Sequence, residues 1–290
     1  LANRLDGAGG DDLLEGGAGA DDLVGGEGSD TASYAHALTA VTVSLADTSL
    51  NTGDAVGDKF TSIENLEGSE LGDTLLGDAD GNILSGNPGD DQLFGAGGSD
   101  VLLGGAGRDR LDGGAGVDTA SYAGSSEGVT ISLVAGEAGQ GGDAEGDTLV
   151  AVENLLGSRF SDRLVGDGGN NRLDGARGSD WLIGGAGADQ LIGGDGSDTI
   201  DYTGSTGVTV NLLASTAAGG DAEGDTFESI ENVVGGGGAD VLTGDGSANT
   251  LEGRGGADTL TGLLGNDTLL GGDGDDLLDG GAGADSIQGG

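Results

Sequence analysis

The 290-residue chain has no cysteine, one proline and one histidine, and only 3% of its residues are aromatic. The lack of cysteine excludes disulfides and thiolate metal sites. So few aromatic side chains leave no material for a large globular core. His36 has no counterpart elsewhere in the chain, which argues against a histidine-based triad or a zinc site. No apolar run approaches 18 residues, so no transmembrane helix is predicted.

Basic residues are also scarce, with 9 Lys and Arg against 52 Asp and Glu, for a formal charge of −43. Phosphate binding needs clusters of Lys and Arg, so nucleic acid is excluded as a partner and anionic membrane surfaces are disfavoured. With 69 glycines in addition, disorder is the default expectation for this composition. If the chain folds, multivalent cations are the obvious means of neutralising its carboxylates.

No basic segment is followed by an apolar stretch of the kind found in Sec-type signal peptides. Residues 1–6 correspond to the later part of a nine-residue repeat, and Gly289-Gly290 to the first two residues of the next. We therefore expect the chain to be part of a longer array.

What the chain does have is a nine-residue phrase, Gly-Gly-x-Gly-x-Asp-x-Leu-x, which runs without a break from GGGGADVLT (235–243) to GGAGADSIQ (280–288). A fixed short period predicts a repeat architecture in which each unit buries its apolar side on its neighbours. The phrase keeps its phase in four blocks, at residues 1–33, 68–121, 157–201 and 235–290.

Three segments between the blocks, which we call the spacers, resemble one another: residues 34–67, 122–156 and 202–234. Each contains a tyrosine near its start, an alternating run such as VTVSL (41–45), the phrase GDAxGD, and an ending such as IENLEG (63–68). The longer period indicates duplicated modules. We predict four units within one continuous solenoid, at residues 1–67, 68–156, 157–234 and 235–290.

Glycine every few residues disfavours helix, at a cost of about 1 kcal/mol for each glycine in a helix interior. Short x-Leu-x triplets between glycine turns suit very short strands, so the fold class is all-β. Two nonapeptides then make a flattened coil of 18 residues, whose leucines point inward as two facing rows. The spacers are predicted to be wider coils of the same stack, with a small separate β-element as the alternative.

The aspartate at position 6 and the glycines before it supply what calcium prefers, namely six to eight oxygen ligands from carboxylates and carbonyls. Glycine populates positive φ freely, which allows turns that point carbonyls inward. In an 18-residue coil, each turn stacks on the turn two repeats later. Asp240 and Asp258 would flank one site, and Asp258 and Asp276 the next, while Asp267 and Asp285 lie on the opposite edge.

The blocks resemble the glycine- and aspartate-rich nonapeptide repeats of RTX proteins, G-G-x-G-x-D-x-U-x, where U is a bulky apolar residue. The resemblance implies a right-handed parallel β-roll with calcium between successive turns, which folds outside the cell after type I secretion. In that motif the sixth-position aspartate gives the carboxylate and the preceding residues give carbonyls. The candidate calcium ligands are then Asp12, Asp21, Asp30, Asp73, Asp91, Asp100, Asp109, Asp118, Asp162, Asp180, Asp189, Asp198, Asp240, Asp258, Asp267, Asp276 and Asp285.

Some repeats depart from this pattern. The second repeat of three blocks carries asparagine at position 6 (Asn82, Asn171 and Asn249), and Pro88 and Leu263-Leu264 interrupt the glycines, so sites that use them are expected to be weaker. Pairing of sixth-position residues 18 apart, asparagines included, predicts about a dozen calcium ions. Because metal binding then supplies the folding free energy, we expect the chain to be disordered without calcium and to fold cooperatively with it.

The spacers leave two questions open. The GDAxGD aspartates (Asp54, Asp58, Asp143, Asp147, Asp221 and Asp225) fit either an extra calcium site or an acidic loop. The Glu-Asn pairs at 64–65, 153–154 and 231–232 favour an asparagine ladder or a turn cap over a ligand. The spacer tyrosines, Tyr34, Tyr122 and Tyr202, are expected to cover the spacer core.

Two function classes follow. The first is a secreted, non-enzymatic structural or adhesive protein, such as a surface layer, filament or matrix component. Its partners would be calcium, together with either further copies of itself in a head-to-tail homopolymer or cell-surface glycans. The second is the secretion and folding module of an exoenzyme or toxin, whose catalytic domain lies outside this chain.

Overall fold

In a computed structural model that describes residues 1–290, the chain forms 33 short β-strands, four 3-10 helical turns and no α-helix. The all-β prediction is therefore confirmed. The 3-10 turns are Thr48–Leu50, Gly53–Ala55, Gly142–Ala144 and Gly220–Ala222. No helix in the structure has the length and apolar character needed to cross a bilayer. The chain divides into two compact units, Leu1–Asn154 and Leu155–Gly290.

The first unit contains three parallel sheets, with strand orders β1-β3-β6, β5-β8-β10-β12-β15 and β2-β4-β7-β9-β11-β13. Its strands are β1 (Arg4–Gly9), β2 (Leu13–Leu14), β3 (Asp22–Glu27), β4 (Thr31–Ser33), β5 (Thr42–Ser44), β6 (Lys59–Thr61), β7 (Asn65–Glu67), β8 (Thr74–Leu76), β9 (Ile83–Ser85), β10 (Gln92–Gly98), β11 (Val101–Leu103), β12 (Arg110–Gly116), β13 (Thr119–Ser121), β14 (Thr130–Ser132) and β15 (Thr148–Val150).

The second unit contains the orders β17-β20-β23-β27-β29-β31-β33, β18-β21-β26, β19-β22 and β25-β24-β28-β30-β32, in which only β24 and β25 pair antiparallel. After β16 (Asn154–Leu156), which begins at the last residue of the first unit, its strands are β17 (Arg163–Val165), β18 (Arg172–Asp174), β19 (Arg177–Gly178), β20 (Trp181–Ile183), β21 (Gln190–Ile192), β22 (Asp195–Gly196), β23 (Thr199–Asp201), β24 (Thr209–Asn211), β25 (Thr216–Ala218), β26 (Thr226–Glu228), β27 (Asn232–Val234), β28 (Val241–Thr243), β29 (Thr250–Gly255), β30 (Thr259–Thr261), β31 (Thr268–Asp273), β32 (Leu277–Asp279) and β33 (Ser286–Gln288).

The strand register shows that one coil is two nonapeptides. Leu93 of β10 pairs with Leu75 of β8 on one side and with Leu111 of β12 on the other, each 18 residues away. In the second unit, Leu251 pairs with Leu269 at the same spacing. Since each x-Leu-x triplet stacks in parallel on the triplet two repeats earlier, the blocks form a parallel β-roll, as the period predicts.

The spacers contribute strands to these sheets at longer offsets. In the first spacer, Val43 pairs with Leu75, Phe60 with Leu23 and Leu66 with Ala32. In the third, Val210 pairs with Leu242, Phe227 with Leu191 and Val233 with Ile200. The GDAxGD phrases form the 3-10 turns that precede β6, β15 and β26.

The core is a narrow stack of aliphatic side chains. The position-8 leucines are fully buried in both units, from Leu23 and Leu75 through to Leu260 and Leu269. Side chains at position 7 point the other way, as strand alternation requires, and Ile83 and Val241 are 45% and 43% exposed. This stack places every sixth-position residue at the mouth of a glycine turn, immediately before a strand.

Candidate calcium sites

The sixth-position aspartates lie inside the turns rather than on the surface. Fourteen of the 17 candidate ligands are buried, and Asp12, Asp276 and Asp285 are half-buried. Most of these aspartates directly precede an x-Leu-x triplet, so burial of the leucine draws the neighbouring carboxylate beneath the turn. A solvated acidic surface would not show this burial.

One carboxylate oxygen of the stacked aspartates extends a ladder along the roll. Oδ1 of Asp91 accepts the backbone N–H of Asp73 at 2.6 Å, and Oδ1 of Asp109 accepts that of Asp91 at 2.8 Å. On the other edge, Oδ1 of Asp118 accepts the N–H of Asp100 at 2.8 Å. We call each sixth-position carboxylate, with any N–H that it accepts from an earlier coil, a rung.

The second carboxylate oxygen, Oδ2, is buried without any hydrogen-bond partner at 13 aspartates. We call these the open rungs: Asp12, Asp21, Asp30, Asp91, Asp100, Asp109, Asp118, Asp180, Asp189, Asp198, Asp258, Asp267 and Asp276. An ionised oxygen buried without a partner is costly, and buried charges in proteins are normally paired or coordinate a metal. A cation bound beside each open rung would therefore supply the partner that its Oδ2 needs.

The first glycine of each repeat leaves room beside that oxygen. A Cβ added at Gly86 would overlap Oδ2 of Asp91 and would lie 2.5 Å from the carbonyl oxygen of Gly104. A Cβ at Gly262 would likewise overlap Oδ2 of Asp267 and would lie 2.6 Å from the carbonyl oxygen of Gly280. An aspartate oxygen and a carbonyl oxygen of the following coil thus converge beside this glycine.

Desolvation is the leading cause of a raised pKa at seven of the open rungs. Burial raises the pKa of Asp91, Asp109 and Asp180 to about 7 and that of Asp189 to about 6. The N–H received from the preceding rung lowers each pKa, but by less than burial raises it, and neighbouring aspartates raise it further. The pKa of Asp100, Asp198 and Asp258 is raised for the same leading reason.

The donor set fits calcium. No group of three or more His, Cys, Asp or Glu side chains in the structure is arranged so that it could hold a metal ion by itself. A metal here therefore needs backbone carbonyls beside the aspartates of the stacked turns. Oxygen-only donors that mix carboxylates and carbonyls suit a hard cation of flexible geometry such as Ca²⁺.

Four of the predicted ligands differ from the open rungs. At Asp162 and Asp240, Oδ2 accepts the N–H of position 2 of the same repeat, from Ser158 at 2.6 Å and from Gly236 at 2.7 Å. Asp73 is held in the same way by Ser69. Asp285 lies half-buried in the last repeat, where its Oδ1 accepts the N–H of Asp267.

In the asparagine repeats, both polar atoms of the sixth-position side chain are hydrogen-bonded to the protein. Oδ1 of Asn82 accepts the N–H of Asp78 at 2.8 Å, and its Nδ2 donates to the carbonyl oxygen of Glu64 at 2.7 Å. Asn249 makes the same pair of bonds with Asp245 and Glu231. By contrast, the repeats with Pro88 and Leu263 retain open rungs at Asp91 and Asp267, and Leu263 adopts a φ of +77°.

Sequence reasoning left six ladder residues in the spacers unassigned. Oδ1 of Asp58, Asp147 and Asp225 accepts the N–H of Asp21, Asp109 and Asp189, respectively. Oε2 of Glu64, Glu153 and Glu231 accepts the N–H of Asp30, Asp118 and Asp198. A signal for the aspartates was present, because GDAxGD keeps the glycine at position 1 and the aspartate at position 6 of the nonapeptide.

The family model described as RTX calcium-binding nonapeptide repeat (4 copies) matches all four blocks. Its matches cover residues 1–32, 67–102, 94–121, 152–182, 175–204, 226–260, 234–269 and 261–290. No curated protein matches the chain.

Proposed function

Because the chain belongs to the family of RTX calcium-binding nonapeptide repeats, we propose that it is an extracellular structural or adhesive protein whose roll becomes ordered when calcium binds. The repeats indicate a secreted calcium-binding repeat protein. The proposal adds to this the role of the folded roll and the number and position of its ions.

The observation that carries the proposal is the unpartnered Oδ2 of the 13 open rungs. Without a cation, folding transfers these carboxylates from water into the roll with one oxygen unsatisfied. Such a set of buried anions opposes folding. Without a cation, the disordered chain is therefore expected to be more stable than the stacked turns.

The residues of the chain prepare each site in three ways. Oδ1 is fixed by the N–H of the rung before it, which aims Oδ2 into the turn. The position-1 glycine gives the oxygens room, and the buried leucines hold successive coils in register. Calcium, when bound, would supply the positive charge that neutralises these buried carboxylates.

We infer about a dozen ions. Thirteen divalent ions, one for each open rung, would bring the formal charge from −43 to −17. Self-repulsion would then fall without vanishing, which keeps the loaded protein soluble. Extracellular modules typically bind calcium with dissociation constants of about 10⁻⁴–10⁻³ M, so loading is expected outside the cell.

A structural role is favoured over catalysis because array and spacers account for all 290 residues. The single histidine, His36, is exposed beside Glu15 rather than placed in a cleft. Further copies of the chain or cell-surface glycans are the proposed partners. A secretion and folding module of an exoenzyme or toxin is the competing role.

Sedimentation and electron microscopy of the purified chain test the structural role, in millimolar calcium and after chelation, with a glycan array in the same buffers. We expect calcium-dependent fibres or sheets, or calcium-dependent glycan binding. Calcium-loaded monomers that bind no glycan at any concentration would contradict the structural or adhesive role and favour the exoenzyme module. Calcium binding itself is judged separately, from the number of ions bound.

A further inference from the structure

Each spacer contains a buried tyrosine that donates a hydrogen bond to its GDAxGD aspartate. The hydroxyl of Tyr34 donates to Oδ2 of Asp58 at 2.8 Å, and that of Tyr122 to Oδ2 of Asp147 at 3.1 Å. Tyr202 donates to Oδ2 of Asp225 at 2.9 Å. We call these three pairs the tyrosine rungs. The oxygen that is unpartnered at an open rung is satisfied here by a neutral donor of the chain itself.

The backbone of the tyrosine rungs differs as well. At 12 of the 13 open rungs, position 4 of the repeat is a glycine with φ between +103° and +159°. In the tyrosine rungs position 4 is Val56, Glu145 or Glu223, with φ of −61°, −62° and −69°. These residues close the 3-10 turns, so the left-handed glycine turn of the open rungs is absent.

The tyrosine rungs also end the ladder. The N–H of Asp109 continues its column by donating to Oδ1 of Asp147. The N–H of Asp147 instead donates to the carbonyl oxygen of Ala144 at 3.1 Å, inside its own turn. Asp58 and Asp225 donate in the same way to Ala55 and Ala222. No carboxylate of a later coil accepts these N–H groups.

We propose that the tyrosine rungs are metal-free row ends, in which the tyrosine hydroxyl takes the place that a cation holds at an open rung. The three GDAxGD turns then divide the calcium sites of their own columns into separate rows and add no ions of their own. The proposal rests on calcium binding at the open rungs. Of the two interpretations of GDAxGD, it favours an acidic loop without metal over an extra calcium site. Tyr34, Tyr122 and Tyr202 are positioning residues, because they act through the aspartate.

The two kinds of rung can be compared in matched triple variants. One variant carries Asp58→Asn, Asp147→Asn and Asp225→Asn, and the control carries Asp21→Asn, Asp109→Asn and Asp189→Asn. Each control position is the open rung directly before a tyrosine rung in its column. Both variants remove three buried carboxylates, and asparagine keeps an oxygen for the ladder N–H. In the first variant the new amide can also donate to the tyrosine oxygen.

Bound calcium is counted by elemental analysis after gel filtration in calcium-containing buffer. We expect the tyrosine-rung variant to retain the wild-type number of ions and the control variant to lose at least three. Loss of three ions from the tyrosine-rung variant would overturn the proposal. A wild-type protein that binds no calcium would instead refute the proposed function, so the two failures are distinguishable.

If a triple variant fails to fold, Asp147→Asn against Asp109→Asn gives the same comparison one ion at a time. Tyr122→Phe adds a readout that burial alone does not predict. It removes only the hydroxyl, so the denaturant midpoint of the calcium-loaded protein should fall without loss of an ion. Asp147→Asn in the same chain should reverse part of that fall, since the carboxylate left without a partner is then gone. Loss of an ion from Asp147→Asn or from Tyr122→Phe would overturn the proposal.

Discussion

The backbone N–H of Asp91 donates to Oδ1 of Asp109 at 2.8 Å, while Oδ2 of the same Asp109 is buried without a partner. One carboxylate therefore joins two coils and leaves an anionic oxygen inside the turn. We therefore expect folding and cation binding to be coupled in this pair, because the coil cannot stack without burying that oxygen.

Substitution of one open rung should remove one ion. Asp91→Asn keeps an oxygen for the N–H of Asp73 but places an amide where the anionic oxygen was. We expect the loss of at least one calcium ion, and a loss of about 1–3 kcal/mol in the unfolding free energy of the loaded protein, the range for an unsatisfied buried polar group.

Asp90→Asn is the control, since it makes the same charge change one residue earlier at an exposed side chain. Its ion count should match the wild type, and its stability should change by no more than about 0.5 kcal/mol. Equal ion counts for Asp91→Asn and the wild type would contradict the assignment of Asp91 as a ligand.

A methyl group beside the carboxylate should close an open rung. Gly262→Ala places a Cβ against Oδ2 of Asp267 and the carbonyl oxygen of Gly280. Overpacking of this kind typically costs about 1–3 kcal/mol. Calcium titration should show a higher midpoint for this variant. Gly255→Ala, where an added Cβ meets nothing within 4 Å, should titrate like the wild type.

The leucine rows should carry the apolar part of the stability in the calcium-loaded state. Leu93 is fully buried between Leu75 and Leu111, so Leu93→Ala should lower the unfolding free energy by about 2–5 kcal/mol. Ile83→Ala removes a side chain that is 45% exposed and should cost far less. Denaturant unfolding in saturating calcium measures both variants, and equal losses would argue against an inward leucine row.

The metal-free roll should be favoured by acid. Burial raises the pKa of Asp91, Asp109 and Asp180 to about 7, against about 3.9 for an unfolded aspartate. The folded state therefore binds more protons than the unfolded chain between about pH 4 and pH 7, and its stability falls as the pH rises through that window. Circular dichroism of metal-free protein should show more strand signal at pH 5 than at pH 8.

The same protons compete with calcium, so the calcium midpoint should rise as the pH falls from 8 to 5. Asp91→Asn combined with Asp109→Asn removes two of the titrating groups and should flatten this dependence. A midpoint that is independent of pH across this range would contradict the burial of ionised carboxylates at the ligand positions.

Much of this structure follows from the period. A leucine at position 8 and an aspartate at position 6, such as Leu93 and Asp91, recur at a fixed spacing through the blocks. The 18-residue coil, the inward leucines and the turn aspartates are therefore predictable from the nonapeptide alone. The state of Asp73 is not, although it occupies the same position. Its Oδ2 is held by Ser69, and position 4 of that repeat is Leu71, which lacks the positive φ of the glycine turn.

The contacts within the spacers could not be predicted from neighbouring residues either. Tyr122 and Asp147 are 25 residues apart, and their hydrogen bond forms only once the spacer has returned to the sheet. Nothing in GDAEGD by itself shows that Glu145 at position 4 takes a negative φ. The turns of the open rungs and of the tyrosine rungs differ at position 4, and this difference is seen only in the backbone dihedral angles.

Far-UV circular dichroism of the chain, first stripped of metal and then titrated to millimolar calcium at neutral pH, measures whether the roll folds only when calcium binds. We expect a disordered spectrum in chelator and a cooperative rise of strand signal as calcium is added, with magnesium unable to replace it at the same concentration. A full strand spectrum that persists in the metal-free protein at neutral pH would contradict the coupling of calcium binding to folding.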